Sequence, residues 1–513
     1  MNKEVRLRRW ILVGAAAMAL AAMLGAILLV VNWPFTQAAV TKALEDRFTR
    51  DVKINKFRGT WFPPGCVAEG IEFLHRQRKE LPALITIQTL TVRASYSGLF
   101  RIGKQINDVQ LTGLHVLVPP KDPRGSHTVF PLTTSTSGKN LTFGAISTDG
   151  AVLEFISKQA EERFTLAISH LTLNNVGEGS PLTFHAQLTN TNPPGEIHSD
   201  GQLGPWDEDD PAATQVSGSF TYDHTKLGVY EGIAGTLASQ GKFSGTLGHI
   251  DTEGNIDVPD FKISDSGHAV HLTSNFHVVV DATNGDTDLT RVESHFGKTT
   301  VISQGDVKGH PGQHGKTVNL TMNVAQGRVE DLLRLVASAE RPSETGEVRL
   351  QAKLELPPGP EGFLRRLRLG GDFGIGGGRF TNPKVQDPIN RLAESAHGES
   401  KSQQGVDSAT VLSNLKGHVS ANAGIATLSR ISFTEPGTVA EIEGTFNLVD
   451  KTLNLRGVLR TSGKVADTTS GFKSLVLKAL SPFLKNKSVT ELPFVITGTF
   501  SDPSFALALG GKR

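Results

Sequence analysis

From about residue 50 onward, apolar and polar residues alternate with a period of two. Leu182, Phe184, Ala186 and Leu188 are separated by Thr183, His185, Gln187 and Thr189, which is the pattern of a strand with one dry and one wet face. The same alternation returns at Phe164-Leu166-Ile168, Phe276-Val278-Val280, Val318-Leu320-Met322-Val324 and Val348-Leu350-Ala352-Leu354-Leu356. Antiparallel sheets with a wetted side require it. A second motif accompanies these strands, a glycine followed by a small or polar residue and then an apolar one. Gly218-Ser219-Phe220, Gly241-Lys242-Phe243, Gly245-Thr246-Leu247 and Gly444-Thr445-Phe446 are examples. No fixed period links its copies, so a solenoid is not indicated. Asn284-Gly285 is the strongest two-residue hairpin signal. The fold class expected is mainly β and antiparallel, with few helices.

One segment departs from that rhythm altogether. Trp10 to Val31 reads WILVGAAAMALAAMLGAILLVV, without a charge, and at ~1.5 Å per residue it reaches roughly 33 Å, enough to cross a bilayer. A secretory signal peptide competes, because Lys3, Arg6, Arg8 and Arg9 form a basic leader. The apolar part of such a peptide is typically about 7–15 residues, however. The length predicts a retained transmembrane helix over 10–33, with Trp10 and Trp33 as aromatic anchors at the two interfaces. The basic tail, residues 1–9, is expected in the cytoplasm and the body on the far side. No second apolar run of that length occurs, so a single pass is expected.

Helical spacing appears otherwise only in short pieces. Val40, Ala43, Leu44 and Phe48 predict an amphipathic helix just after the anchor, and Val329, Leu332, Leu333 and Val336 predict another. Val385, Ile389, Leu392 and Ala396, entered through Asp387-Pro388, place a third near 384–397. The most apolar, near 469–485, puts Phe472, Leu475, Val476, Ala479, Leu480 and Phe483 on one face. Polar stretches at 207–211, 309–315, 340–345 and 398–405 suggest joints. The break near Glu340 is the best boundary, dividing a β-rich region 34–340 from a region 341–513.

Composition narrows the partners. With 52 basic and 51 acidic side chains there is no global basic field, which speaks against nucleic acid. Cys66 is the only cysteine, so no intramolecular disulfide forms. The closest histidine pairs, His268/His271 and His310/His314, lack the spacing and companions of a metal motif. The acidic stretch Asp281–Asp288 lacks the register of a calcium loop. The Gly370–Gly378 cluster lacks the strand-to-helix context of a phosphate loop, and no G-x-S-x-G occurs. No catalytic residue, cofactor or metal is nominated, and an enzyme is not expected.

The order QGRVEDLLRLVAS, LELPPGPEGFLRRLRLGGDFGIGGGRFTNPKVQDPINRLAESAHG, then VLSNLKGHVSANAGIATLSRISFTEPGTVAEIEGTFNLVDKTLNLRGVL and TSGFKSLVLKALSPFLKNKSVTELPFVITGTFSDPSFAL resembles the C-terminal region of AsmA-like bacterial envelope proteins. The basic N-terminus, single apolar run and short helix before the first strand are similar too. The resemblance implies an inner-membrane anchor bearing an elongated, incompletely closed β-sheet groove in the periplasm. That groove would serve lipid traffic and outer-membrane biogenesis, as in bridge-like lipid carriers of the chorein type. Its partners would be the inner membrane, a phospholipid or other acyl lipid, and other envelope proteins.

Physics gives such a groove its requirement. At about 0.8 kcal/mol per CH₂, a sixteen-carbon chain exposed to water would lose roughly 13 kcal/mol, so a carrier needs a continuous apolar lining. Candidate lining residues are Leu182, Phe184, Leu188, Phe276, Val278, Val280, Leu320 and Met322. An ordinary sealed core would use the same residues, and a scaffold for outer-membrane assembly factors is the alternative function. The Phe472–Phe483 helix would cap the groove, dock on an opposing membrane or simply pack on its neighbouring sheet.

Overall fold

The computed structural model describes residues 33–48, 50–75, 81–99, 105–119, 142–156, 164–174, 181–191, 194–205, 210–230, 232–263, 268–310, 313–336, 344–380, 413–435, 438–461, 490–499 and 503–507. The run expected to span a membrane, with Trp10, lies outside them. So do the helices expected near 384–397 and 469–485, and with the latter Phe472, Leu475, Val476, Ala479, Leu480 and Phe483. Among the described residues no helix is long and apolar enough to cross a membrane.

The protein is mainly β, as the alternation predicts, with 24 strands among the described residues. It divides into two compact units. The first holds the described residues of Met1–Glu154, Thr165–Ala186 and Gln202–Asp209, the second those of Phe155–Phe164, Gln187–Gly201 and Asp210–Arg513. The joint expected near Glu340 falls outside the described residues, and the strands on either side of it, Lys316–Arg328 and Glu344–Leu356, pair directly with each other.

In the first unit, strands Val52–Thr60, Gly65–Phe73, Ile85–Arg93 and Gln105–Val118 form an antiparallel meander. The helix Gln37–Phe48 lies against it. Val40, Leu44 and Phe48 pack on a core that includes Ile71, Phe73, Leu90 and Leu111, while Ala43 is exposed. Phe48 meets Phe73 edge-on, ring centroids 5.0 Å apart. The helix completes the burial, leaving Ala68 and Ile71 at 0% exposure. Trp33, expected as an anchor at the interface, packs against its own unit. It is 7% exposed, stacked on Trp61 at 4.0 Å and edge-on to Phe35 at 5.6 Å. Contacts to two neighbouring rings bury more of the Trp33 ring than a surface position would.

The second unit is a longer meander. Antiparallel ladders join Gln215–Lys226 to Thr236–Thr246, then His249–Ile263, Val270–Asp281, Asp286–Phe296, Thr299–Gly309, Lys316–Arg328, Glu344–Leu356 and Arg368–Phe380. They continue through Ser413–Asn422, Ile425–Glu435, Thr438–Asn447, Thr452–Thr461, Thr490–Thr499 and Pro503–Leu507. This sheet curls. The eight-residue helix Val329–Val336 touches both Glu344–Leu356 and His249–Ile263. Those strands stand five positions apart, ~24 Å in a flat sheet at ~4.8 Å per strand, whereas the helix is only ~12 Å long. Phe363, in the turn after Glu344–Leu356, likewise lies on Gly232 in the turn before Thr236–Thr246, its ring 2.7 Å from where a Cβ would stand. These turns lie at opposite ends of their strands, so the sheet is strongly twisted as well as curled.

The hairpin expected at Asn284-Gly285 is present but longer. Asp281 pairs with Asp286 across four turn residues. The Asp281 carboxylate accepts from the Thr283 N–H at 2.9 Å, which starts the turn early, and Gly285 closes it at φ 74°.

Candidate functional site

In an antiparallel ladder, residues directly opposite one another share a face, as do alternate residues of one strand. Register therefore carries one face of the second unit from strand to strand. Val278 stands opposite Leu289, which faces Gly305, then Leu320, Leu354 and Leu369. One step along the strands, Phe276 stands opposite Val292, followed by Ser303, Met322, Ala352 and Gly371. That row continues through Val419, Leu428, Gly444, Leu455 and Ile496. The face is apolar or small throughout. Phe276, Val278, Val280, Leu320 and Met322 all lie on it, each only partly buried, as are Leu354, Leu428 and Leu455. Of the remaining candidates, Leu182 and Phe184 belong to the first unit and Leu188 to the second. All three are partly buried between exposed His185, Gln187 and Thr189.

The glycines on this face have a definite job. A Cβ at Gly241, Gly254 or Gly457 would lie 2.8, 2.8 or 2.5 Å from the ring of Phe220, Phe276 or Phe494 on the neighbouring strand. Each ring rests over a glycine of the next strand, and the glycine makes room for it. The Gly-x-apolar motif is the sequence trace of this arrangement, because residues two apart share a face. Phe220, Phe243 and Phe446, each the apolar member of such a motif, stand on this face beside the lining residues expected from alternation.

The opposite face is polar. His271 Nε2 lies 2.5 Å from Asp257 Oδ1 and His277 Nε2 2.6 Å from Asp251 Oδ1, each pair across the same two strands. Arg456 pairs with Glu443 at 2.7 Å and Arg368 with Glu355 at 2.9 Å. Among the described residues no group of three or more His, Cys, Asp or Glu is placed to hold a metal.

One helix closes off part of the apolar face. At one end the helix Val329–Val336 covers Val324, Val348 and Ile375 with Val329, Leu332 and Leu333. Its first turn is tied down. The Asp331 carboxylate accepts from the Lys298 N–H at 2.7 Å and the Thr299 hydroxyl at 2.9 Å. Burial acts to raise the Glu330 carboxyl. Hydrogen bonds from its own N–H, from Arg328 and from the Gly346 N–H outweigh that and hold it below the ordinary glutamate range. At the other end of the strands, Arg365, Arg366, Arg368, Glu361, Ile425 and Val449 line an open cavity of about 650 Å³.

Compared with known proteins, the chain matches no family model, no curated protein and no solved structure.

Proposed function

We propose that this protein shields acyl chains of a lipid, such as a phospholipid, on the curled apolar face of its second unit, without catalysis. The observation that carries the proposal is the continuity of that face: two adjacent rows of apolar or small residues cross consecutive ladders, and their large side chains stay partly exposed. An apolar surface of this extent is seldom left to water in a soluble monomer. In this reading the Trp10–Val31 run is a membrane anchor, and a bacterial envelope with the body in the periplasm is the setting. Outer-membrane biogenesis is the process the resemblance to AsmA-like proteins suggests.

The test is to purify the full chain in a non-lipid detergent and to extract and weigh bound lipid by mass spectrometry. Lipid is expected with the natural protein and with Thr321→Lys on the polar face. Leu320→Lys and Met322→Lys should each reduce it at least several-fold. A folded natural protein that carries no lipid would overturn the proposal and favour the scaffold alternative.

A further inference from the structure

Among its described residues, the first unit exposes one aromatic tip. Trp61 is 43% and Phe62 86% exposed, in the turn between Val52–Thr60 and Gly65–Phe73. The turn is held firmly in that pose. The Thr60 hydroxyl donates to the Pro63 carbonyl at 2.9 Å, and the Tyr96 hydroxyl donates to the Trp61 carbonyl at 2.6 Å. The Trp61 ring stacks on Trp33 at 4.0 Å, and the Phe62 ring lies 5.8 Å from that of Tyr96. Two large rings presented on a braced turn are not the scattered exposure common on protein surfaces.

Position supplies the occupant. Trp33 follows the uncharged run Trp10–Val31 by two residues, a reach of at most ~7 Å of extended chain. The stack on Trp33 therefore keeps Trp61 beside the point where that run ends. Exposed Arg58 precedes the turn on the same strand, as suits anionic headgroups, while Lys56 further from the turn is paired with Glu69 at 3.6 Å. Tryptophan and phenylalanine at this level fit the boundary between headgroups and acyl chains.

We infer that the Trp61-Phe62 turn inserts into the interface of the bilayer in which the N-terminal run is anchored, giving the first unit a second membrane contact. The inference rests on the anchor reading given above. Trp33, expected to meet lipid itself, becomes the platform that aims Trp61 and Phe62.

The test labels Phe62→Cys in the full chain with an environment-sensitive fluorophore, in vesicles of phosphatidylcholine and phosphatidylglycerol doped with a shallow nitroxide lipid. Cys66 is 1% exposed and burial pushes its thiol up to about 11, so labelling of the folded protein goes to position 62. Blue-shifted emission quenched several-fold by the nitroxide is expected, with no quenching of the same label at Lys53→Cys, exposed at the far end of the Val52–Thr60 strand. Alkaline extraction of the same vesicles reports separately on the anchor. An unquenched label on protein that resists extraction overturns the insertion and leaves the anchor standing. Extracted protein whose label is quenched when vesicles are added back supports insertion and removes the anchor. Extraction with no quenching removes both.

Discussion

At the scale of single residues, the least expected feature is the use of glycine on the apolar face. A glycine in a strand interior is normally a weakness, and alanine in its place helps by up to ~1 kcal/mol. At Gly254 the sign reverses. A Cβ there would stand 2.4 Å from the Gln240 carbonyl and 2.8 Å from the Phe276 ring, so Gly254→Ala should destabilise by ~1–3 kcal/mol in urea denaturation. Gly370 has nothing within 4 Å of its would-be Cβ, so Gly370→Ala should be neutral or slightly stabilising. Equal costs at the two sites would refute the ring-over-glycine account. The sequence made the motif visible. It could not say why the motif exists, because the contact joins residues of different strands, and only register brings them opposite. The histidine pairing to Asp251 and Asp257 escaped for the same reason. Trp33 illustrates the converse: its place beside the apolar run argued for lipid, while a stacking partner twenty-eight residues away, Trp61, decided its burial.

At the scale of elements, period-two alternation marked strands such as Phe164–Asn174, Leu182–Thr191, Val270–Asp281, Lys316–Arg328 and Glu344–Leu356, and 3.6 spacing marked the helices Gln37–Phe48 and Val329–Val336. Their roles differ in ways no spacing announces. The second helix closes an end of the curled sheet, and its grip depends on Asp331, 8% exposed. Asp331→Ala would leave the Lys298 N–H and Thr299 hydroxyl without that acceptor, at a cost of ~1–3 kcal/mol. Amide exchange should quicken first in Val329–Val336 and the Phe296–Thr299 turn. The neighbouring Glu330 gives this helix a pH dependence. Its carboxyl is depressed in the folded protein, so the stabilisation is whole above the unfolded value of roughly 4.3 and is lost as pH falls through the folded value. Melting temperature should therefore drop on acidification below that point, and Glu330→Gln should flatten the drop. An unchanged slope in that variant would assign the acid sensitivity to other carboxylates.

At the scale of the whole molecule, the two units treat the same strand pattern in opposite ways. In the first, the helix Gln37–Phe48 and the aromatic group around Trp33 complete a dry core, with Ile71 at 0% exposure. In the second, helix cover is local, and Leu320 and Met322 keep solvent contact on the curled face. Alternation alone could not distinguish these outcomes, since a covered face and an open one are written with the same residues. Charge tolerance can. A lysine at Ile71 would bring an ammonium into a site without water, and Ile71→Lys should cost ~4 kcal/mol or more or prevent folding. A lysine at Leu320 can extend its charged end into solvent along the open face, so Leu320→Lys should cost no more than ~1 kcal/mol while reducing bound lipid. Chemical denaturation followed by near-ultraviolet circular dichroism measures both. A Leu320→Lys variant as unstable as Ile71→Lys would mean that the face is covered in solution, and the lipid-shielding proposal would lose its physical basis.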